Sequence, residues 1–469
     1  MNKDVVILLR RIVLITCVLF LIGFTDHSLL RVAKATEEQP KNVILMIGDG
    51  MGFGQIEIAR LLEHGKEGTL FMETLPYSAL SKTHSNDNMV TDSAAAGTAI
   101  ATGQKTNNGM VGINPNGNKL TSILAEFKKQ GKTVGIVSTN SVTDATPAAF
   151  VANTTHRSHD AKIARQIFDS RIDIILGGGA KFFEPNAQNG TDLLKEFAQD
   201  GYEVVRTKDE LNHYSPNHLS KLIGLFTSSH MNFIADKKIK NSIEPTLLEM
   251  SKAAIETGAQ DKDGFFLMIE GARIDHAAHS ADFTSIWKET IEFDKTVEFA
   301  VNWAKEDGDT LVVVLADHET MGTSATEMMD LEGLRNIAVS TDYMANQFEV
   351  DKQTNTYTKE SIRDVFLEYA NIEITDAQMN ELKRAIAQLR SLKGEIVPER
   401  LVAWELGSII ANHYRGGVLD SQYRKESATN GHSANMVPIF SYGIGAERFQ
   451  GVLDNTDIPK LVRELAILE

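Results

Sequence analysis

Cysteine is almost missing from this chain of 469 residues: the single one, Cys17, lies close to the N-terminus. Beyond it, disulfides, thiol nucleophiles and thiolate metal sites are excluded, so any bound metal must be held by His, Asp, Glu, Thr or water. Basic charge is also in short supply, with 47 Lys and Arg against 63 Asp and Glu and a net charge of −16. Such a balance argues against a broad nucleic-acid-binding surface. An anionic substrate would need local positive charge, and metal ions are one source of it. Long apolar runs are absent apart from residues 12–24, which fall short of the roughly 20 needed to span a membrane.

That one run has the layout of an export signal. Lys3, Arg10 and Arg11 precede it, and Val32-Ala33-Lys34-Ala35 ends in an Ala-x-Ala pattern. The pattern predicts a signal peptide over residues 1–35, cleaved after Ala35, and an exported protein: periplasmic, cell-wall-associated or extracellular. An uncleaved N-terminal anchor is the alternative; Thr16 before Cys17 does not suit lipid attachment. The remainder, in a chain 42% hydrophobic and 23% charged, reads as ordinary globular protein without internal repeats. Its length suits one large core with insertions, or two to three domains.

Apolar runs at 42–47, 133–138, 172–176, 222–226, 265–269 and 311–315 read as buried strands. Helical patterns near 53–64, 119–130, 159–169, 245–257 and 283–306 separate most of them. The alternation predicts an α/β fold, a mainly parallel central sheet with helices on both faces. Between Gly322 and Gly431 the pattern turns helical (about 359–370, 375–391 and 397–413), as an insertion of residues 322–431 would. A strand at 437–442 and a helix near 458–467 then complete a core made of residues 36–321 and 432–469.

In such sheets, sites form beyond the carboxyl ends of the strands, and the polar residues of this chain collect there. Asp49 follows the first strand within Gly48-Asp49-Gly50, Glu270 follows the fifth, and Asp317-His318 follows the sixth. Asp275 and His279, four residues apart, share a face if a helix begins near Arg273, and a carboxylate with an imidazole there can grip a zinc-like ion. Alone, such a spacing is more often an exposed acid–histidine pair, and Asp317-His318 is equally a polar turn. Thr146 and the carboxylates suit a hard ion such as magnesium. Arg157 can hold two phosphate oxygens at once, or simply face solvent. His432 taken singly reads as structural. Ser93 precedes a run of small residues predicted to form a helix over 94–102, ended by Gly103. It is either the cap of that helix or a nucleophile at its N-terminus.

Taken together, Ile47-Gly-Asp-Gly-Met-Gly, Val90-Thr-Asp-Ser-Ala-Ala, Asp144-Ala-Thr-Pro-Ala-Ala, Glu270-Gly-Ala-Arg-Ile-Asp-His, Ala316-Asp-His-Glu and Gly431-His-Ser resemble the alkaline phosphatase family, in its order and across nearly the whole chain. The resemblance implies a secreted phosphomonoesterase and likewise its site residues. Asp275, His279 and His432 would hold one zinc ion; Asp49, Asp317 and His318 a second; Asp49, Thr146 and Glu270 a magnesium ion. Ser93 would be the nucleophile, forming a phosphoserine intermediate, and Arg157 the phosphate clamp. Asp144 and His276 fall where the family varies and are not assigned as ligands. Small-molecule phosphate monoesters as substrates and a homodimeric assembly are further implications. A phosphodiesterase on the same scaffold is the alternative; sulfatase chemistry is disfavoured, because Ser93 lacks the C/S-x-P-x-R context.

Overall fold

The apolar runs become the inner strands of a ten-stranded sheet in the computed structural model, which describes residues 39–466 except 218–220, 355 and 394–398. The expected export signal and its cleavage point at Ala35 lie outside the described residues. In chain order the strands are β1 (Asn42–Gly48), β2 (Tyr77–Lys82), β3 (Thr133–Ser141), β4 (Ile174–Gly178), β5 (Glu203–Val205), β6 (Leu222–Leu225), β7 (Phe265–Gly271), β8 (Thr310–Ala316), β9 (Val437–Gly443) and β10 (Gly451–Asp454). Across the sheet they lie in the order β10-β2-β9-β8-β1-β7-β3-β4-β6-β5. Every pairing is parallel except the two made by β9.

The central strands are apolar throughout because both of their faces are covered. On β1, Val43, Leu45 and Ile47 enter one apolar cluster, while Ile44 and Met46 enter another on the opposite face. Leu311, Val313 and Leu315 of β8 alternate with Val312 and Val314 in the same way. Each such side chain, fully buried, contributes about 1.5–3 kcal/mol.

Three strands had no apolar run to announce them. β2 mixes exposed and buried residues, β5 is only three residues long, and β10 carries exposed Gly451 and Val452. All three sit at or near the sheet margins, where one-sided burial leaves only a weak pattern. The helix expected over 119–130 covers only Ile123–Lys129, because Ser122 caps it by accepting from Ala125 N at 3.2 Å.

Residues 322–431 are mostly helical, with Leu331–Arg335, Thr341–Ala345, Lys359–Ala370, Asp376–Lys393, Glu399–His413 and Ser421–Glu426. Their apolar faces form a third cluster with Ala277, Ala278, Phe283 and Ile286 of the core. Among the described residues no helix is long and apolar enough to cross a membrane.

Two short-side-chain helices, Ser93–Thr102 and Ala145–Val151, meet so closely that a Cβ on Gly97 would lie 3.2 Å from Ala149 Cβ and 3.3 Å from Thr146 Cα. Replacing Gly97→Leu is expected to force the pair apart and to cost about 1–3 kcal/mol. An unfolding midpoint in urea equal to that of the parent would refute this tight packing.

Candidate metal and phosphate site

Parallel strands deliver the predicted residues to one edge of the sheet. Asp49 follows β1, Glu270 lies at the end of β7, Asp317 and His318 follow β8, and Ser138 to Ser141 close β3. The helix Arg273–His279 begins where the sequence suggested and carries Asp275 and His279 on one face. His432 arrives from the far end of the chain on a two-residue strand, His432–Ser433, paired with Glu319–Thr320. Ser93, Asp144, Arg157, Asp275, His279 and His432 line an open cleft of about 630 Å3.

Ser93 is not the cap of its helix. Asp92 takes that role, its Oδ1 accepting from Ala95 N at 3.0 Å, which leaves the hydroxyl of Ser93 free. Ser93 Oγ instead lies 3.1 Å from His318 Nε2. The other oxygen of Asp92 accepts from Gly109 N at 3.0 Å and pairs with Arg157 Nη1 at 3.3 Å, while Arg157 Nη2 donates to Asp144 Oδ1 at 2.8 Å. Burial opposes the charge on Arg157, but Asp144, Asp92 and Asp49 outweigh it and raise its pKa. Asp92 thereby orients both the serine and the arginine.

Two groups of three ligand-type residues stand side by side. In the first, Asp275 Oδ2 is 3.2 Å from His279 Nε2, and Asp275 Oδ1 is 3.7 Å from His432 Nε2. His279 donates Nδ1–H to Asn430 O and His432 donates Nδ1–H to Thr91 O, both at 2.9 Å. Their Nε2 lone pairs then face one another at 3.2 Å, an arrangement that a cation between them relieves. In the second group, His318 Nε2 is 3.4 Å from Asp49 Oδ1 and 3.3 Å from Asp317 Oδ2. Asp49 Oδ1 and Asp317 Oδ2 are buried without hydrogen-bond partners, as is Thr146 Oγ1 in the neighbouring Asp49–Thr146–Glu270 set. Orphaned buried oxygens of this kind fit a bound divalent cation.

Electrostatics agree with that fit. Burial, then the charges of Asp317, Asp275 and Glu270, raises Asp49 well above the usual carboxylate range. Burial likewise pushes Glu270 up to about 8 and Asp317 to about 7, helped by neighbouring carboxylates. Burial would raise Asp275 as well, but His279, and with it His432 and His318 where they are protonated, hold it well below its ordinary value. Burial lowers His432 to about 4 and His318 well below its usual value, so both are neutral imidazoles at neutral pH. Without cations, this site repels its own charges.

A further group, Asp144, His230 and His276, also brings ligand-type atoms together, but its chemistry differs. Arg273 Nη1 donates to His276 Nδ1 at 2.6 Å, so the neutral ring carries its hydrogen on Nε2 and offers a donor. Arg157 and Arg273 both stand beside it, paired with Asp144, Asp92 and Asp342, so positive and negative charge are mixed there. His230 had no motif around it. Its place just beyond β6, at the same sheet edge, is the one signal that could have found it.

The raised carboxylates have a consequence for the protein stripped of metal. Between about pH 7 and 8 the lowered imidazoles are neutral in the folded chain and largely so in the unfolded one, where they titrate near 6.5. Over the same range the folded Asp317 and Glu270 hold protons that their unfolded counterparts have lost. The folded state binds more protons there, so its stability falls as pH rises. Chelator-treated protein is expected to show a melting temperature that drops from pH 7 to 8, with a smaller drop when metal is restored. Equal pH slopes with and without metal would contradict the charge balance described.

Comparisons with known proteins point the same way. The family model for alkaline phosphatase matches residues 40–468. Alkaline phosphatase 4 of Bacillus subtilis (strain 168) is 32% identical over 445 residues, covering 92% of this chain and 89% of that protein. The alkaline phosphatase of Escherichia coli (strain K12) is 35% identical over 333 residues, covering 60% of this chain and 71% of its own length. The crystal structure of Thermus thermophilus alkaline phosphatase superposes with a TM-score of 0.79 at 28% identity, covering 94% of this chain and 96% of that one. The chain belongs to the alkaline phosphatase family, metal-dependent phosphoric monoester hydrolases.

Proposed function

We propose that this protein is an exported alkaline phosphatase that hydrolyses small phosphate monoesters through a phosphoserine on Ser93. Support for the nucleophile comes chiefly from one observation: Ser93 Oγ, released from capping by Asp92, stands 3.1 Å from His318 Nε2 at the start of a buried helix. Asp275, His279 and His432 would hold one zinc ion, and Asp49, Asp317 and His318 a second. Asp49, Thr146 and Glu270 would hold magnesium. When bound, these ions supply Lewis-acid charge that eases deprotonation of the serine and offsets charge on the transferring phosphoryl group.

The chain's own groups do the rest. Ser93 Oγ forms a bond to phosphorus as the ester P–O bond breaks, and the departing alkoxide leaves as the alcohol once protonated. Water then attacks phosphorus, the Ser93 Oγ–P bond breaks, and phosphate and the free hydroxyl are restored. Arg157, aligned by Asp92 and Asp144, donates to the non-bridging oxygens in both steps. The positive end of the Ser93–Thr102 helix adds to that field. Residues 36–321 and 432–469 form the catalytic core in this reading, residues 322–431 an inserted helical cover, and the working assembly is a homodimer.

Ser93→Ala is expected to lower monoester turnover by on the order of 10³-fold or more, with chelation abolishing activity and added zinc plus magnesium restoring it. Acid-quenched enzyme should carry a phosphoryl group on a Ser93 peptide by mass spectrometry. Turnover surviving in Ser93→Ala, or a diester cleaved faster than a monoester, would overturn the assignment. For Arg157→Ala, loss of the charge-assisted bonds should reduce kcat/KM by roughly 10- to 100-fold, read in the same chromogenic assay.

A further inference from the structure

The cleft is larger than its chemistry requires. Its volume of about 630 Å3 falls within the roughly 300–1,000 Å3 range of pockets that enclose whole organic ligands. A phosphate group alone would leave most of it empty. The part beyond Ser93 and Arg157 is walled by the Glu399–His413 helix, which contributes Arg400 and Trp404. One turn apart, these two side chains project from the same helix face.

That helix is held firmly against the metal-ligand helix. A Cβ on Gly407 would lie only 1.8 Å from Ser280 O, so the two backbones touch at a point where no side chain fits. Fully buried Arg424 donates to His279 O at 2.9 Å and to Glu405 Oε1 at 3.0 Å, and its guanidinium lies 5.3 Å from the Trp404 ring. The Trp404 indole is itself stacked on His279, ring centroids 5.3 Å apart at 21°. Trp404 is only partly buried and lines the cleft, and Arg400 is exposed at its mouth. The held indole, with the exposed guanidinium of Arg400 one turn away, makes a surface for a flat, π-bearing group.

We propose that Trp404 and Arg400 form a leaving-group subsite that favours phosphomonoesters carrying a planar ring, of the nucleoside monophosphate type. The inference rests on Ser93 being the nucleophile. Ser93, His279, Arg400 and Trp404 line one cleft, so a leaving group larger than the phosphate held at Ser93 and Arg157 extends along the wall that Trp404 forms. The ring of a nucleoside then reaches the wall of the cleft, while a sugar phosphate without a base leaves that wall in contact with water only. Trp404 and Arg400 select the substrate and take no part in bond making.

Adenosine 5′-monophosphate and ribose 5-phosphate isolate this effect, because both release a primary sugar alkoxide and differ in the base. Full-length, metal-loaded enzyme is expected to show a higher kcat/KM for adenosine 5′-monophosphate. Trp404→Leu should cut the ratio of the two kcat/KM values by about 2- to 12-fold, chiefly through KM, and Trp404→Phe should restore much of it. Arg400→Ala, at an exposed position that does not endanger folding, should lower the ratio by about 2- to 5-fold. A ratio that stays the same in both Trp404→Leu and Arg400→Ala, even as absolute rates fall, would make Trp404 a packing residue for His279 and overturn the subsite. Parent enzyme inactive on both substrates would instead overturn the phosphomonoesterase reading on which the subsite rests.

Discussion

Negative charge crowded into a buried sheet edge is the constraint on which the rest of the molecule depends. Asp49, Glu270, Asp275 and Asp317 are all buried, and His318 and His432 among them are held neutral by the same burial. No arrangement of protein groups alone balances them: oxygens of Asp49 and Asp317 lack partners, and two Nε2 lone pairs oppose each other. Folding must therefore be strong elsewhere to hold the site together. The two-sided burial of β1, β7 and β8 supplies that strength directly beneath these residues.

Around this charge, positions are set by small devices with double duties. Asp92 caps one helix, frees Ser93 and aligns Arg157, so a single carboxylate couples the two. Backbone carbonyls of Thr91 and Asn430 select the tautomers of His432 and His279. Arg424 ties the Glu399–His413 helix to the carbonyl of His279, so a segment far along the chain steadies a residue of the candidate site. Helices of residues 322–431 are in this way part of the site's framework, packed on Ala277, Ala278 and Phe283.

Legibility followed burial. Strands covered on both faces announced themselves as unbroken Val, Ile and Leu runs, and the acidic and histidine residues just beyond them read as a site. The marginal strands Tyr77–Lys82, Glu203–Val205 and Gly451–Asp454 did not, since a half-exposed or three-residue strand leaves no period to detect. His230 and Trp404 were invisible for a different reason. Their importance comes from neighbours distant in sequence, Asn140 and Asp144 for one and His279 for the other, and no local spacing encodes those encounters.

What the sequence determined by itself was chemistry: which groups could hold metal, which hydroxyl could attack, and that no thiol would interfere. Those are properties of residue types and short motifs, carried wherever the chain goes. Tertiary structure alone decided how they act together. It assigned the helix cap to Asp92 and not to Ser93, because only in the folded chain do Ala95 N, Gly109 N and Arg157 converge on one carboxylate. It also raised Glu270 and Asp317 and lowered His432 through desolvation, a force that exists only once the surrounding sheet has closed over them.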